Sequence, residues 1–122
     1  MGGNKMATKK EISMTGFAIV AYAGDAKTDL IAALEAAKKG EFVHAQKLVA
    51  SADQAIAAAH NEQTKLLSKE AGGEDMDVTF IMVHGQDTLM TTMLLKDETT
   101  YFINEYQRID KIEKQLGIHP TI

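Results

Sequence analysis

The sequence predicts an all-α protein, an antiparallel up-down-up bundle of three helices. Three observations carry this. The 122 residues are rich in Ala, Lys and Glu, with one Pro and no Trp, a composition that suits helices. Apolar residues recur at three- and four-residue spacing rather than alternating. Breaks at Gly40 and at Gly72-Gly73 cut the chain into three periodic stretches joined by tight turns.

The stretch before the first helix, residues 1–11, is basic and reads as a flexible N-terminal tail. One helical domain is expected over 12–116, and a short C-terminal tail over 117–122. The first helix should open between Thr8 and Thr15. Thr8-x-x-Glu11 has the form of a capping box, and Ser13 is a second possible cap. Its apolar rhythm is Phe17, Val20, Gly24, Ile31, Leu34. Lys38-Lys39 complement the helix dipole at its end, and Gly40 is a natural stop.

The second helix is expected from about Glu41 to Ala71. Its seam is Phe42, Ala45, Val49, Ala52, Ile56, Gln63, Leu67. Seven alanines fall within 45–59, and small residues let neighbouring helices approach closely. The third helix should start near Asp75 and reach Leu116, with Gly117 past its end. One seam reads Met76, Phe80, Val83, Asp87, Met90, Leu94, Asp97, Tyr101, alternating four and three as in a coiled coil. Val78, Ile81, Met82, Leu89, Met93 and Leu95 fall on its other faces. A helix apolar all round must be covered all round. Two partners in one chain cannot do that, so the third helix is expected to pack against copies of itself.

Composition narrows the function. Net charge is −4 and the pI is about 5.5, with no dense basic patch, so a nucleic-acid partner is not expected. There is no cysteine, which excludes disulfides, thiolate catalysis and Cys-based metal sites on this chain. No signal-peptide core is visible, and a cytoplasmic location follows as the default. The apolar stretch 78–95 carries His, Gln, Asp and four Thr, so direct membrane insertion is not expected. The glycine pairs lack the spacing of a phosphate loop, which argues against nucleotide binding.

That same stretch holds the chemistry. Asp87 is its one formal charge, and His84 stands three residues before it. On a helix these share a face. Burying two ionisable groups costs several kcal/mol unless they are paired or bind a metal. Neutral imidazole is a good nucleophile, and its ordinary pKa of ~6.5 leaves much of it unprotonated at neutral pH. No Lys or Arg lies within 78–95 to hold a phosphate, so orientation must come from Gln86, Thr88 or neighbouring chains. Asp87 sits on the seam, where copies of a symmetric oligomer meet. Converging carboxylates must be protonated, be diluted by water or share a cation such as Mg²⁺; a local cap or salt bridge is the alternative. His44 and His119 lie at the start of the second helix and in the C-terminal tail. His60, with Asn61 and Gln63, is expected to hydrogen-bond between helices. Met76, Met82, Met90 and Met93 read as core filler.

Residues 83–90, Val-His-Gly-Gln-Asp-Thr-Leu-Met, resemble the Val-His-Ala-Gln-Asp-His-Leu-Met signature of the IIA components of the lactose/cellobiose/chitobiose-type sugar phosphotransferase system. Ala23-Gly24-Asp25-Ala26-Lys27, the turn over 36–42 and Ala59-His60-Asn61-Glu62-Gln63-Thr64 resemble three more elements of that family. Together they run over about 12–110 in the family's order. The resemblance implies a three-helix subunit that forms a homotrimer, a nine-helix bundle. It implies that His84 accepts a phosphoryl group from the phosphocarrier HPr and passes it to a cysteine of the cognate IIB component. It also implies that Asp87 helps bind a metal on the threefold axis. Which disaccharide is imported does not follow from these residues. Two departures stand at the site: Gly85 replaces the family's Ala, and Thr88 replaces a second His. Gly85 costs up to ~1 kcal/mol of helix propensity, and Thr88 offers phosphate a hydroxyl but no positive charge. The rival from another class is a non-catalytic helical adaptor, in which His84 and Asp87 fix helix register.

Overall fold

A computed structural model describes residues 8–118, and they form three helices: α1 (Lys9–Lys38), α2 (Phe42–Ala71) and α3 (Phe80–Leu116). α1 begins at Lys9, inside the stretch expected as a tail over 1–11, and Ile12 is buried against Leu66. Residues 1–7 and 119–122, with the tail assigned to them and His119, lie outside the described residues.

The caps set the helix ends. The Thr8 hydroxyl accepts from the Glu11 amide at 3.1 Å, and the Glu11 carboxylate accepts from the Thr8 amide at 3.2 Å. This is the capping box expected from the sequence. At the other end of α1, Gly40 adopts a φ of 81°, and the Glu41 amide reaches back to the Ala36 carbonyl at 2.9 Å. Only a residue without a Cβ takes that turn at low cost. The helix α3 starts five residues later than the sequence suggests. Thr79 caps it by accepting from the Met82 amide at 3.2 Å, and the cap decided the boundary over the apolar pattern that begins at Met76.

Packing along α1 defines the bundle. Ile19 meets Ala59 of α2 and Leu89 of α3 in one cluster, and Ala26, Leu30 and Ala33 meet Ala45, Val49, Ala52 and Ile103 in another. Residue numbers fall along α2 and rise along α3 as they rise along α1, so the order is up-down-up. α1 lies against both partners, whereas α2 and α3 meet each other much more sparsely. Gln63 of α2 donates to Gln86 of α3, and Lys96 of α3 pairs with Asp53 of α2 at 2.8 Å.

The buried face of α1 differs from the expected rhythm. Ile12, Gly16, Ile19, Ala23, Ala26, Leu30 and Ala33 are inside, while Phe17 is 62% exposed and Ile31 is also exposed. Phe17 and Ile31 fall off this stripe, in which glycine and alanine between Ile12, Ile19 and Leu30 let the three helices close up. On α2 the expected seam holds from Ala45 to Gln63, but Leu66, not Leu67, is buried. The α3 seam faces away from the other two helices: Phe80 is 89%, Leu94 58% and Tyr101 76% exposed. The core face of α3 is instead Gly85, Leu89, Thr92, Thr99 and Ile103.

Two outcomes follow. Leu89 is fully buried between α1 and α2, so Leu89→Ala should destabilise the subunit by about 2–5 kcal/mol in urea unfolding. The Lys96 ammonium is held above the ordinary lysine range by its hydrogen bond to Asp53, against the opposing effect of burial. A raised lysine contributes stability below its unfolded pKa of ~10.4 and loses it as pH rises through the folded value. Lys96 and Asp53 are partly exposed, so Asp53→Asn should cost less than ~1 kcal/mol near neutral pH. Unfolding at about pH 8 and about pH 11 should show that gap closing at the higher value.

Candidate functional site

His84 lies in the second turn of α3, and Asp87 and Thr88 follow one turn later on the same side. The structure therefore brings His84, Asp87 and Thr88 together. Both ionisable side chains are exposed on one subunit, on the face that also carries Phe80, Val83, Met90 and Leu94. The burial expected for them is therefore not supplied by α1 or α2. Among the described residues, no ion pair or hydrogen bond engages the His84 or Asp87 side chain, so the local cap or salt bridge weighed for Asp87 is not formed. No group of three or more His, Cys, Asp or Glu side chains comes together among them to hold a metal.

Gln86 is not beside His84. Residues two apart on a helix do not face each other, and Gln86 turns inward to accept from Gln63. It lines an apolar hollow of about 220 Å³ with Ile12, Leu66, Met76 and Met82. The Thr88 hydroxyl donates to the His84 carbonyl at 2.8 Å, and Thr91 likewise donates to the Asp87 carbonyl at 2.9 Å. Thr88 thus stands next to the imidazole with its one hydroxyl proton already placed on the backbone.

The other histidines among the described residues, His44 and His60, stand apart from this face. Both are exposed on α2. His60 meets Thr64 on its own helix at 3.4 Å, so the interhelical bond expected of it is absent. Of the four methionines read as filler, Met76, Met82 and Met93 are partly buried, while Met90 lies on the outer face of α3.

Sequence reasoning missed one feature of this site. Gly85, next to His84, lies directly against Gly16 of α1: a Cβ on Gly85 would sit 2.9 Å from the Gly16 carbonyl oxygen. A glycine inside each helical pattern was the available signal. Nothing in a linear sequence says that the two meet.

The chain matches the family described as PTS system, Lactose/Cellobiose specific IIA subunit over residues 14–107. It belongs to that family. The lactose-specific EIIA component of Lacticaseibacillus casei is 64% identical over 110 residues, 90% of this chain and 98% of that protein. The lactose-specific EIIA component of Streptococcus mutans is 51% identical over 100 residues, 82% of this chain and 96% of that one. The crystal structure of the cellobiose-specific enzyme IIA from Bacillus anthracis superposes with a TM-score of 0.80 at 31% identity, covering 89% of this chain and 98% of its own. The IIA(chitobiose) chain of Escherichia coli, solved in solution as a complex with HPr, gives a TM-score of 0.72 at 32% identity over 82% and 97% of the two chains. This IIA chain is accordingly a component of a sugar phosphotransferase system with the family's all-helical fold. Among its described residues no helix is long and apolar enough to cross a membrane.

Proposed function

We propose that this IIA chain is a cytoplasmic phosphocarrier in which His84 takes a phosphoryl group from HPr and passes it to a cysteine of the cognate IIB component. One observation carries the reading. His84 stands exposed and unpartnered on the outer face of α3, in a chain whose structural neighbours include a IIA protein solved with HPr. An acceptor that must meet two different proteins in turn has to be reachable from outside. Because the chain has no cysteine, the thiol that relieves it of the phosphoryl group belongs to another protein.

A ring nitrogen of neutral His84 attacks phosphorus in line. Its bond to phosphorus forms as the donor histidine's N–P bond breaks and the electron pair returns to the donor ring. In the second half, a IIB thiolate attacks the same phosphorus and His84 recovers its electron pair. There is little covalent work for the protein beyond positioning and charge stabilisation. Thr88 is the neighbour on the imidazole's own face and reaches the phosphoryl group by releasing the His84 carbonyl. Gln86 acts through its bond to Gln63, not on the phosphoryl group of its own chain.

The outer face of α3 meets the same face of two further copies, giving a homotrimer of nine helices. Phe80, Val83, Met90 and Leu94 leave water there, each contributing on the order of 1.5–3 kcal/mol if fully buried. Copies of Asp87 then converge near the axis. Asp87 is the one acid of α3 between Phe80 and Leu94, and its carboxylate is the donor type that Mg²⁺ or another hard divalent cation takes. A cation held there offsets the repulsion among carboxylates. The lactose-specific relatives match this chain at much higher identity than the cellobiose and chitobiose structures do, which supports lactose as the sugar.

Incubation with phosphoenolpyruvate, enzyme I and HPr should add one acid-labile phosphoryl group to the wild type by intact mass. His84→Ala should add none while remaining a folded trimer. An acid-labile gain on His84→Ala would overturn the assignment. Asp87→Leu removes the axial repulsion and inserts an apolar seam residue. It should stabilise the trimer, on the scale of ~1–4 kcal/mol known for replacing buried ionic groups, in thermal unfolding with and without chelator. A less stable trimer would contradict the repulsion.

A further inference from the structure

The contact between Gly16 and Gly85 has a geometry that reaches beyond packing. A Cβ on Gly85 would sit 2.9 Å from the Gly16 carbonyl oxygen and 3.4 Å from the Gly16 α-carbon. A Cβ on Gly16 would sit 2.9 Å from the Ile81 carbonyl oxygen and 3.0 Å from the Met82 α-carbon. These are backbone atoms, so no side-chain rotation relieves the clash. The slot accepts a helix backbone and nothing more.

The neighbours of Gly85 make this slot directional. Successive residues leave a helix about 100° apart. At this turn His84 points out, Gly85 meets α1, and Gln86 points to Gln63 of α2. Rolling α3 one way would carry the His84 Cβ toward Gly16, and rolling it the other way would carry the Gln86 Cβ there. The slot has room for neither. Turning α3 also stretches the Gln63–Gln86 bond on the far side.

We propose that Gly16, Gly85 and Gln63 are positioning residues for His84: the glycine slot and the Gln63–Gln86 bond fix the roll of α3 and thereby the direction of the imidazole. This rests on the reading of His84 as the phosphoryl acceptor. In-line transfer is sensitive to such alignment, and a misplacement of ~1 Å can cost about 10²-fold in rate. Opening the slot from 2.9 Å to the 3.4 Å of ordinary contact is about half that displacement.

The test uses Gly16→Ala, Gly85→Ala, their double variant, Gln63→Leu and Gln63→Glu. Each is measured for the rate of transfer from phosphorylated HPr and by NMR of the histidine rings. Gly85→Ala and Gly16→Ala should each slow transfer about tenfold, with the KM for phosphorylated HPr within about twofold, because the outer surface is unaltered. The double variant should be no slower than the worse single one, because either Cβ opens the same slot. Gln63→Leu should slow transfer, and Gln63→Glu should restore it, since a flipped Gln86 amide can donate to the carboxylate. The ring signals of His84 should move in the slowed variants, while those of His44 and His60 stay in place. Folded variants with wild-type rates and an unmoved His84 ring would overturn the proposal, as would strict multiplication of the two glycine effects. If the wild type takes no phosphoryl group, the acceptor reading fails by itself. The His84 signals then decide the positioning claim alone: movement sustains it, and no movement overturns it. Should the glycine variants fail to fold, the Gln63 pair decides by the same readouts.

Discussion

The bundle depends on the small-residue face of α1. Gly16, Ala23, Ala26, Ala33, Ala36 and Ala37 are buried there, and their lack of bulk lets α2 and α3 both lie close against one helix. The alternative, large side chains inside, would hold the helices apart and leave voids that cost stability. The arrangement has a consequence for α1 itself. Phe17, Ile31 and Met14 are left on the outside, so the helix is apolar on two faces for two different reasons.

The same constraint shapes α3. Because α1 takes one side of it and α2 touches it only sparsely, a long face of α3 is left uncovered. That face is not a leftover. It carries the heptad-like run from Phe80 to Tyr101, and within it Asp87 and the one imidazole of the run, His84. Apolar surface of this extent on a single subunit marks an interaction surface. The site and the proposed subunit contact thus share one strip of helix, and the chemistry assigned to His84 is inseparable from how α3 is seated on α1.

Much of this was legible in the sequence, and the parts that were not have physical reasons. The capping box at Thr8 and Glu11, the stop at Gly40 and the break after Ala71 are local signals, and local signals read well. The start of α3 was misplaced because apolar periodicity begins at Met76, ahead of the cap at Thr79 that stops helix formation before it. The buried face of α1 was misread because large apolar residues dominate a periodicity count, whereas the buried stripe here mixes glycine and alanine with Ile12, Ile19 and Leu30. The pair His84 and Asp87 stood out because charge is rare in that stretch. Gln86 read as a neighbour of His84 by proximity in sequence, yet two positions along a helix put it on the other side, bonded to Gln63. The departure at Gly85 read as a local weakness of the helix. It proved to be half of a backbone contact whose other half lies 69 positions earlier, and no one-dimensional pattern carries such pairings.

The central claim is that His84, and no other group on this chain, holds the phosphoryl group. The most direct measurement is fragment mass spectrometry under alkaline conditions, which preserve phosphohistidine, on wild-type protein charged through HPr. The account predicts that the added mass maps to the imidazole of His84 alone. A phosphoryl group on His44, His60 or His119, or an acyl phosphate at Asp87, would contradict it.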